Sequence, residues 1–207
     1  MKRNLNKQSA VLLKILLFSI AIMSTLNAFA VKPGKPVKPA PTFEIGEAGP
    51  SGGIVFHISD GGGSRFSGQH GLEVALVDHD TQPAWGCSGY DINEARGLAV
   101  GTGAKNTSAF LAGCAESVIA AELASVYEFN GFDDWFLPSR EELNLMYRNL
   151  HSLGLGGFSA DRYLKSESYW SSTEDESGSV WCQSFVNGEQ FHCLKPDSYR
   201  VRAVRAF

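Results

Sequence analysis

Four cysteines, Cys87, Cys114, Cys182 and Cys193, constrain the fold of this 207-residue chain more than any other feature. In a chain bound for an oxidising compartment an even count reads as disulfides, here two, and four cysteines allow three pairings. Asn187-Gly188, lying between Cys182 and Cys193, is a strong hairpin-turn signal. A two-residue loop there sets the two cysteines directly opposite on neighbouring strands, with Cα atoms about 5.5 Å apart and within disulfide reach. Cys182–Cys193 is therefore the favoured bridge, and Cys87–Cys114 follows by elimination. Metal binding is the rival use of cysteine, but no CxxC or HxxxH spacing occurs.

The compartment is read from the N-terminal end. Lys2, Arg3 and Lys7 precede an apolar run from Ile15 to Met23, broken only by Ser19, and Ala28-Phe29-Ala30 has the small-x-small pattern of a signal-peptidase site. Residues 1–30 are expected to be a secretory signal peptide. The run falls short of the roughly 20 apolar residues of a membrane helix, which disfavours an uncleaved anchor. No membrane span is expected once the signal is removed, and the mature protein is expected to be secreted, on the cell surface or in the periplasm. Residues 31–43, rich in Pro and Lys, read as an extended linker. One globular domain is expected over 44–207. That domain carries 11 Lys+Arg against 22 Asp+Glu, a net charge of −11. Such a surface repels phosphate backbones and anionic membranes, so a nucleic-acid partner is not expected.

Within the domain, Ser139 stands three residues before Glu142 as a capping box, and Leu143, Met146, Tyr147 and Leu150 follow at helical spacing. A second helix is predicted from Asn106 or Thr107 to about residue 126, interrupted by Gly113. Strands are predicted at 53–58, 72–77, 168–172, 180–186, 189–194 and 199–207. Two helices among flanking strands make an α+β domain.

Several separated stretches resemble one bacterial surface-protein family. They are Gly49-Pro50-Ser51-Gly52-Gly53-Ile54-Val55-Phe56, Ala84-Trp85-Gly86-Cys87, Gly101-Thr102-Gly103-Ala104-Lys105-Asn106-Thr107, the run from Asn130 to Leu143, Tyr169-Trp170-Ser171-Ser172-Thr173-Glu174, and Arg200-Val201-Arg202-Ala203-Val204-Arg205. The family is typified by the C-terminal domain of the Legionella collagen-like protein (Lcl), an adhesin whose domain binds sulfated glycosaminoglycans. This chain has a Lys-Pro linker in place of that protein's collagen repeat. More distantly, Leu137-Pro138-Ser139 with Glu141 and Glu142, and the closing Arg-Val-Arg strand, are similar to elements of the formylglycine-generating enzymes. That resemblance implies a single C-type-lectin-like domain, two helices with a twisted antiparallel sheet and long loops.

Candidate ligand residues follow from their chemistry. Trp170 and Trp181 offer sugar-stacking faces and indole donors, although large aromatics in strands are more often core. Asn187, Glu189, Gln190 and His192 flank the hairpin turn with hydrogen-bonding groups. Arg200 and Arg202 could meet anionic groups, but pairing with the domain's own carboxylates is favoured. Glu174, Asp175 and Glu176 offer oxygen ligands for calcium, without the spacing of an EF-hand loop; a solvated turn is favoured, and no other cofactor is expected. The chain lacks a GxGxxG stretch and a Gly-Lys-Ser/Thr ending. His192 and Cys193, adjacent on a strand, point to opposite faces. An enzyme is not expected. A binding module for a glycan is the favoured function, and a structural or protein-binding domain of the envelope, which could oligomerise, is the alternative.

Overall fold

A computed structural model describes residues 41–59, 69–159, 167–175 and 178–207. The expected signal peptide, most of the linker and Glu176 lie outside the described residues. The chain from Ala40 to Phe207 forms one compact unit.

The domain is α+β. Strands β1 (Ile54–Ser59) and β2 (His70–Val74) come first. Helices α1 (Gly103–Gly113), α2 (Ala120–Ser125) and α3 (Arg140–Asn149) follow. Strands β3 (Ser168–Glu174), β4 (Val180–Ser184), β5 (Gln190–Cys193) and β6 (Val204–Ala206) complete it. The described strands make two three-stranded antiparallel sheets, ordered β1-β2-β6 and β3-β4-β5, where the sequence suggested one. The first and last strands thus flank β2.

The expected second helix is two helices. It starts earlier than predicted, at Gly103, and breaks after Gly113 because Cys114 leaves the helical path to bridge Cys87. Val118 turns the chain with φ +61, a conformation that is an outlier for a β-branched residue, and α2 begins two residues later.

The expected long C-terminal strand is reduced to Val204–Ala206. Arg202 accounts for the loss: it is buried, and its guanidinium donates to the carbonyls of Ala75, Gly156 and Gly157 at 3.0, 2.9 and 3.3 Å. A side chain tied to loop carbonyls on one side holds its backbone off a regular ladder.

Both disulfides form as paired in the sequence reading, but the hairpin register differs. Cys182 stands opposite Phe191, and Cys193 opposite Val180. The loop is therefore longer than two residues. Phe185, fully buried, turns inward at its start, while the side chain of Asn187 accepts from Glu189 N–H at 3.1 Å. The bridge runs diagonally across the strands, with Cα atoms 6.1 Å apart. Burial of one aromatic ring outweighs the local turn preference.

The capping box forms as predicted, and Glu142 does more than close it. Its buried carboxylate accepts N–H groups from Ser139 at 2.8 Å, Gly101 at 2.7 Å and Gly103 at 3.4 Å. One side chain thereby serves the N-terminal ends of both α3 and α1. Burial raises the Glu142 pKa above the usual carboxylate value, and the three N–H donors oppose that rise. Leu143, Met146 and Leu150 are buried beneath α3, each contributing roughly 1.5–3 kcal/mol of hydrophobic stabilisation.

Candidate ligand-binding surface

The four tryptophans separate structure from surface. Trp85 donates its indole N–H to Ser171 O at 2.9 Å, Trp135 to Phe132 O at 3.1 Å, and Trp170 to Pro83 O at 2.9 Å. All three rings are buried. Trp181, half-buried in the middle of β4, meets no protein acceptor among the described residues.

Strand pairing builds the surroundings of Trp181. His192 stands directly opposite it on β5, with ring centroids 4.0 Å apart. His192 Nδ1 lies 2.5 Å from the Asp175 carboxylate, and the side chain is 51% exposed. Asp175 also accepts from the Ser179 N–H at 3.0 Å and its hydroxyl at 2.5 Å. From the first turn of α3, Arg140 lays its guanidinium over Trp181, Cζ 4.2 Å from the ring centroid. Gln190 clamps that arginine: its Nε2 donates to Arg140 O at 2.9 Å, and its Oε1 accepts from Arg140 Nε at 3.2 Å. Glu141 lies 3.6 Å from the same Nε. The two terminal guanidinium nitrogens have no protein partner among the described residues. Trp181, His192 and Arg140 thus present an indole N–H, an imidazole edge and a guanidinium fork together.

The profile of the Lcl C-terminal domain matches residues 77–205. The chain belongs to the Lcl C-terminal domain family. A fimbrial protein from Bacteroides ovatus ATCC 8483 is similar in structure at a TM-score of 0.44 and 13% identity, over 73% of this chain and 43% of that one. This chain therefore spans less than half the length of that protein. No curated protein matches it. Two disulfides fit an oxidising, extracytoplasmic compartment, and no helix among the described residues is long and apolar enough to cross a membrane.

The family-matched span contains the whole Trp181 surface, which gathers three of the residues singled out in the sequence: Trp181, Gln190 and His192. Asn187 and Glu189 bond each other within the turn. Trp170 is a correction: it is fully buried, edge-on to Tyr199, and has no open face for a sugar. Arg200 and Arg202 are spent internally, as favoured. Arg200 pairs with Glu167 at 2.9 Å and Asp78 at 3.5 Å, while Arg202 pairs with Asp78 at 2.5 Å. The hydrogen bond to Glu167 raises the Arg200 pKa further. Burial, with Asp78 beside it, holds the Tyr169 phenol above its ordinary range in the same cluster.

Two members of the acidic run are engaged within the protein. Glu174 is buried, paired with Lys195, and accepts from Ile92 N–H at 2.5 Å. Asp175 is engaged as described, and Glu176 lies outside the described residues. Cys87, Cys114 and Glu116 lie close together, but both sulfurs are in the bridge and Glu116 accepts from Cys87 N–H at 2.9 Å. Arg140 was missed. A cation in the first turn of a helix opposes the helix dipole, and that misplacement was the available signal.

Proposed function

We propose that this chain is an exported or surface-displayed binding module that recognises a carbohydrate, in adhesion, through the Trp181 surface. The observation that carries this reading is that Trp181, alone among the four tryptophans, finds no acceptor for its indole N–H among the described residues. It does so beside the Arg140 fork and His192. Aromatic rings with a polar handle suit sugars, which combine apolar C–H faces with hydroxyl groups. Membership of a family typified by an adhesin domain supports the same reading, as does the proposed C-type-lectin-like arrangement. The module binds and does not catalyse, and it needs no cofactor; calcium is tested alongside.

The test is a glycan array probed with the wild-type protein and with Trp181→Ala and Arg140→Ala, at two salt concentrations, with calcium or chelator. Selective binding is expected, lost in both variants and insensitive to chelation. A blank array under every condition overturns the carbohydrate reading. A co-purifying envelope protein whose capture needs Trp181 would then assign the surface to a protein partner.

A further inference from the structure

The first sheet carries a second constellation, built largely from residues outside the family-matched span. A cleft of about 430 Å³ is lined by His57, Ser59, His70, Leu72, Val100 and Phe207, among others. Its walls are largely apolar, yet two imidazoles open into it.

Strand register explains why. Val55 pairs with Glu73 and His57 with Leu72, so Phe56 is the extra residue of a β-bulge. By simple alternation His57, three residues after Ile54, would face away from it. The bulge returns His57 to the face shared by Ile54 and Leu72, as bulges characteristically re-aim a side chain. The next pair on that face is Ser59 with His70. His57 and His70 are therefore diagonal neighbours on one face, close enough for long side chains to meet. Leu72 also faces Ala206 across β6, and the wall carrying Val100 closes the cleft.

Each imidazole keeps a nitrogen available. His70 Nδ1 lies 3.3 Å from Phe207 O. That oxygen can only accept, so in the neutral ring Nδ1 carries the proton and Nε2 keeps its lone pair. A carbonyl or carboxylate oxygen fixing one ring nitrogen while the other is presented is the usual outer support of a metal-ligating histidine. His57 has no hydrogen-bond partner among the described residues. A domain of net charge −11 also concentrates cations around itself.

We infer that His57 and His70 form a two-histidine site for a divalent transition-metal ion, with Cu²⁺ bound most tightly and water completing its coordination. Imidazole nitrogens suit copper, nickel and zinc, and the affinity order of first-row divalent ions places Cu²⁺ highest. The site is independent of the carbohydrate reading.

The test is a Cu²⁺ titration of the tag-free full chain by calorimetry, with electron paramagnetic resonance of the copper form. One saturable equivalent is expected, with nitrogen hyperfine structure and weaker binding of Zn²⁺. His57→Ala and His70→Ala should each weaken Cu²⁺ binding by on the order of tenfold or more, the scale seen even when only the outer support of a metal ligand is lost. His192→Ala should leave it unchanged. Should an alanine variant fail to fold, His57→Gln or His70→Gln, which keep size and polarity, are expected to show the same loss. No saturable binding, undiminished affinity in the His57 and His70 variants, or a loss confined to His192→Ala would overturn the assignment.

Discussion

Two constellations of the same three chemical groups, a cation, a carboxylate and an indole, sit on this domain, and only one of them reaches solvent. Lys195 pairs with Glu174 and lies 5.0 Å from the Trp85 ring, with side-chain exposures of 2% and 0% for the ion pair. Arg140 lies beside Glu141 and 4.2 Å from the Trp181 ring, with exposures of 28% and 37%. Inside, every group is committed: Lys195 also donates to Tyr90 O, and the Trp85 N–H donates to Ser171 O. Outside, the guanidinium fork and the Trp181 N–H have no protein partner among the described residues. Buried charge specifies the fold because an unpaired partner is so costly there. The exposed set contributes little to stability, which leaves it open to a ligand.

The contrast is broken most directly from the inside. Lys195→Ala strands a buried carboxylate and should cost about 3–5 kcal/mol in urea unfolding. A loss below about 1 kcal/mol would show that the pair is solvated and the comparison misplaced. Replacing both partners by apolar residues, as in Lys195→Met with Glu174→Leu, should recover much of the loss.

Removing the bridge that ties the hairpin, by Cys182→Ser with Cys193→Ser, should cost about 2–5 kcal/mol. Retained full stability would mean that the strands alone hold the hairpin.

Glu142→Gln exchanges an acceptor of three N–H groups for an amide with one oxygen, and about 1–3 kcal/mol should be lost. The pH dependence sharpens this. Because burial raises the Glu142 pKa in the folded state, the native form holds the proton more tightly than the unfolded form. The stability from that linkage is present below the unfolded carboxyl pKa and is lost as pH rises through the folded one. Wild type should therefore gain on Glu142→Gln as pH falls from neutral into the carboxylate range. A gap that narrows on acidification would contradict this.

The smallest effect belongs to the exposed set. Arg140→Ala should change stability by only about 0.5–1 kcal/mol, the scale of an exposed cation–π contact. Loss of ligand without loss of fold is the result that separates the two constellations, and a large thermal shift would merge them.

What could be read from the sequence was local. The capping box of Ser139 and Glu142, the apolar face of α3 and the turn at Asn187-Gly188 all involve residues a few positions apart. Both disulfide pairings followed from that turn, even though its register did not. The second task of Glu142, reaching back to Gly101 and Gly103, depends on how two helices meet, and no spacing rule encodes that. The bulge at Phe56 is likewise fixed by pairing with β2, so His57 reads as an ordinary strand residue until its partner strand is in place. Trp170 and Trp181 have equal claims in the sequence, and only tertiary packing distinguishes the core ring from the surface one.

The order of the first sheet has a consequence for when the domain can form. β2 lies between β1 and β6, so Val204–Ala206 must arrive before that sheet is complete. Phe136 also exchanges backbone hydrogen bonds with Val204, at 2.8 and 2.9 Å, which ties the stretch before α3 to the same late strand. Chain entropy makes such distant pairings slow to close. Until β6 arrives, the edge of β2 that it covers stays unpaired. That delay suits a domain whose two disulfides close only in an oxidising compartment.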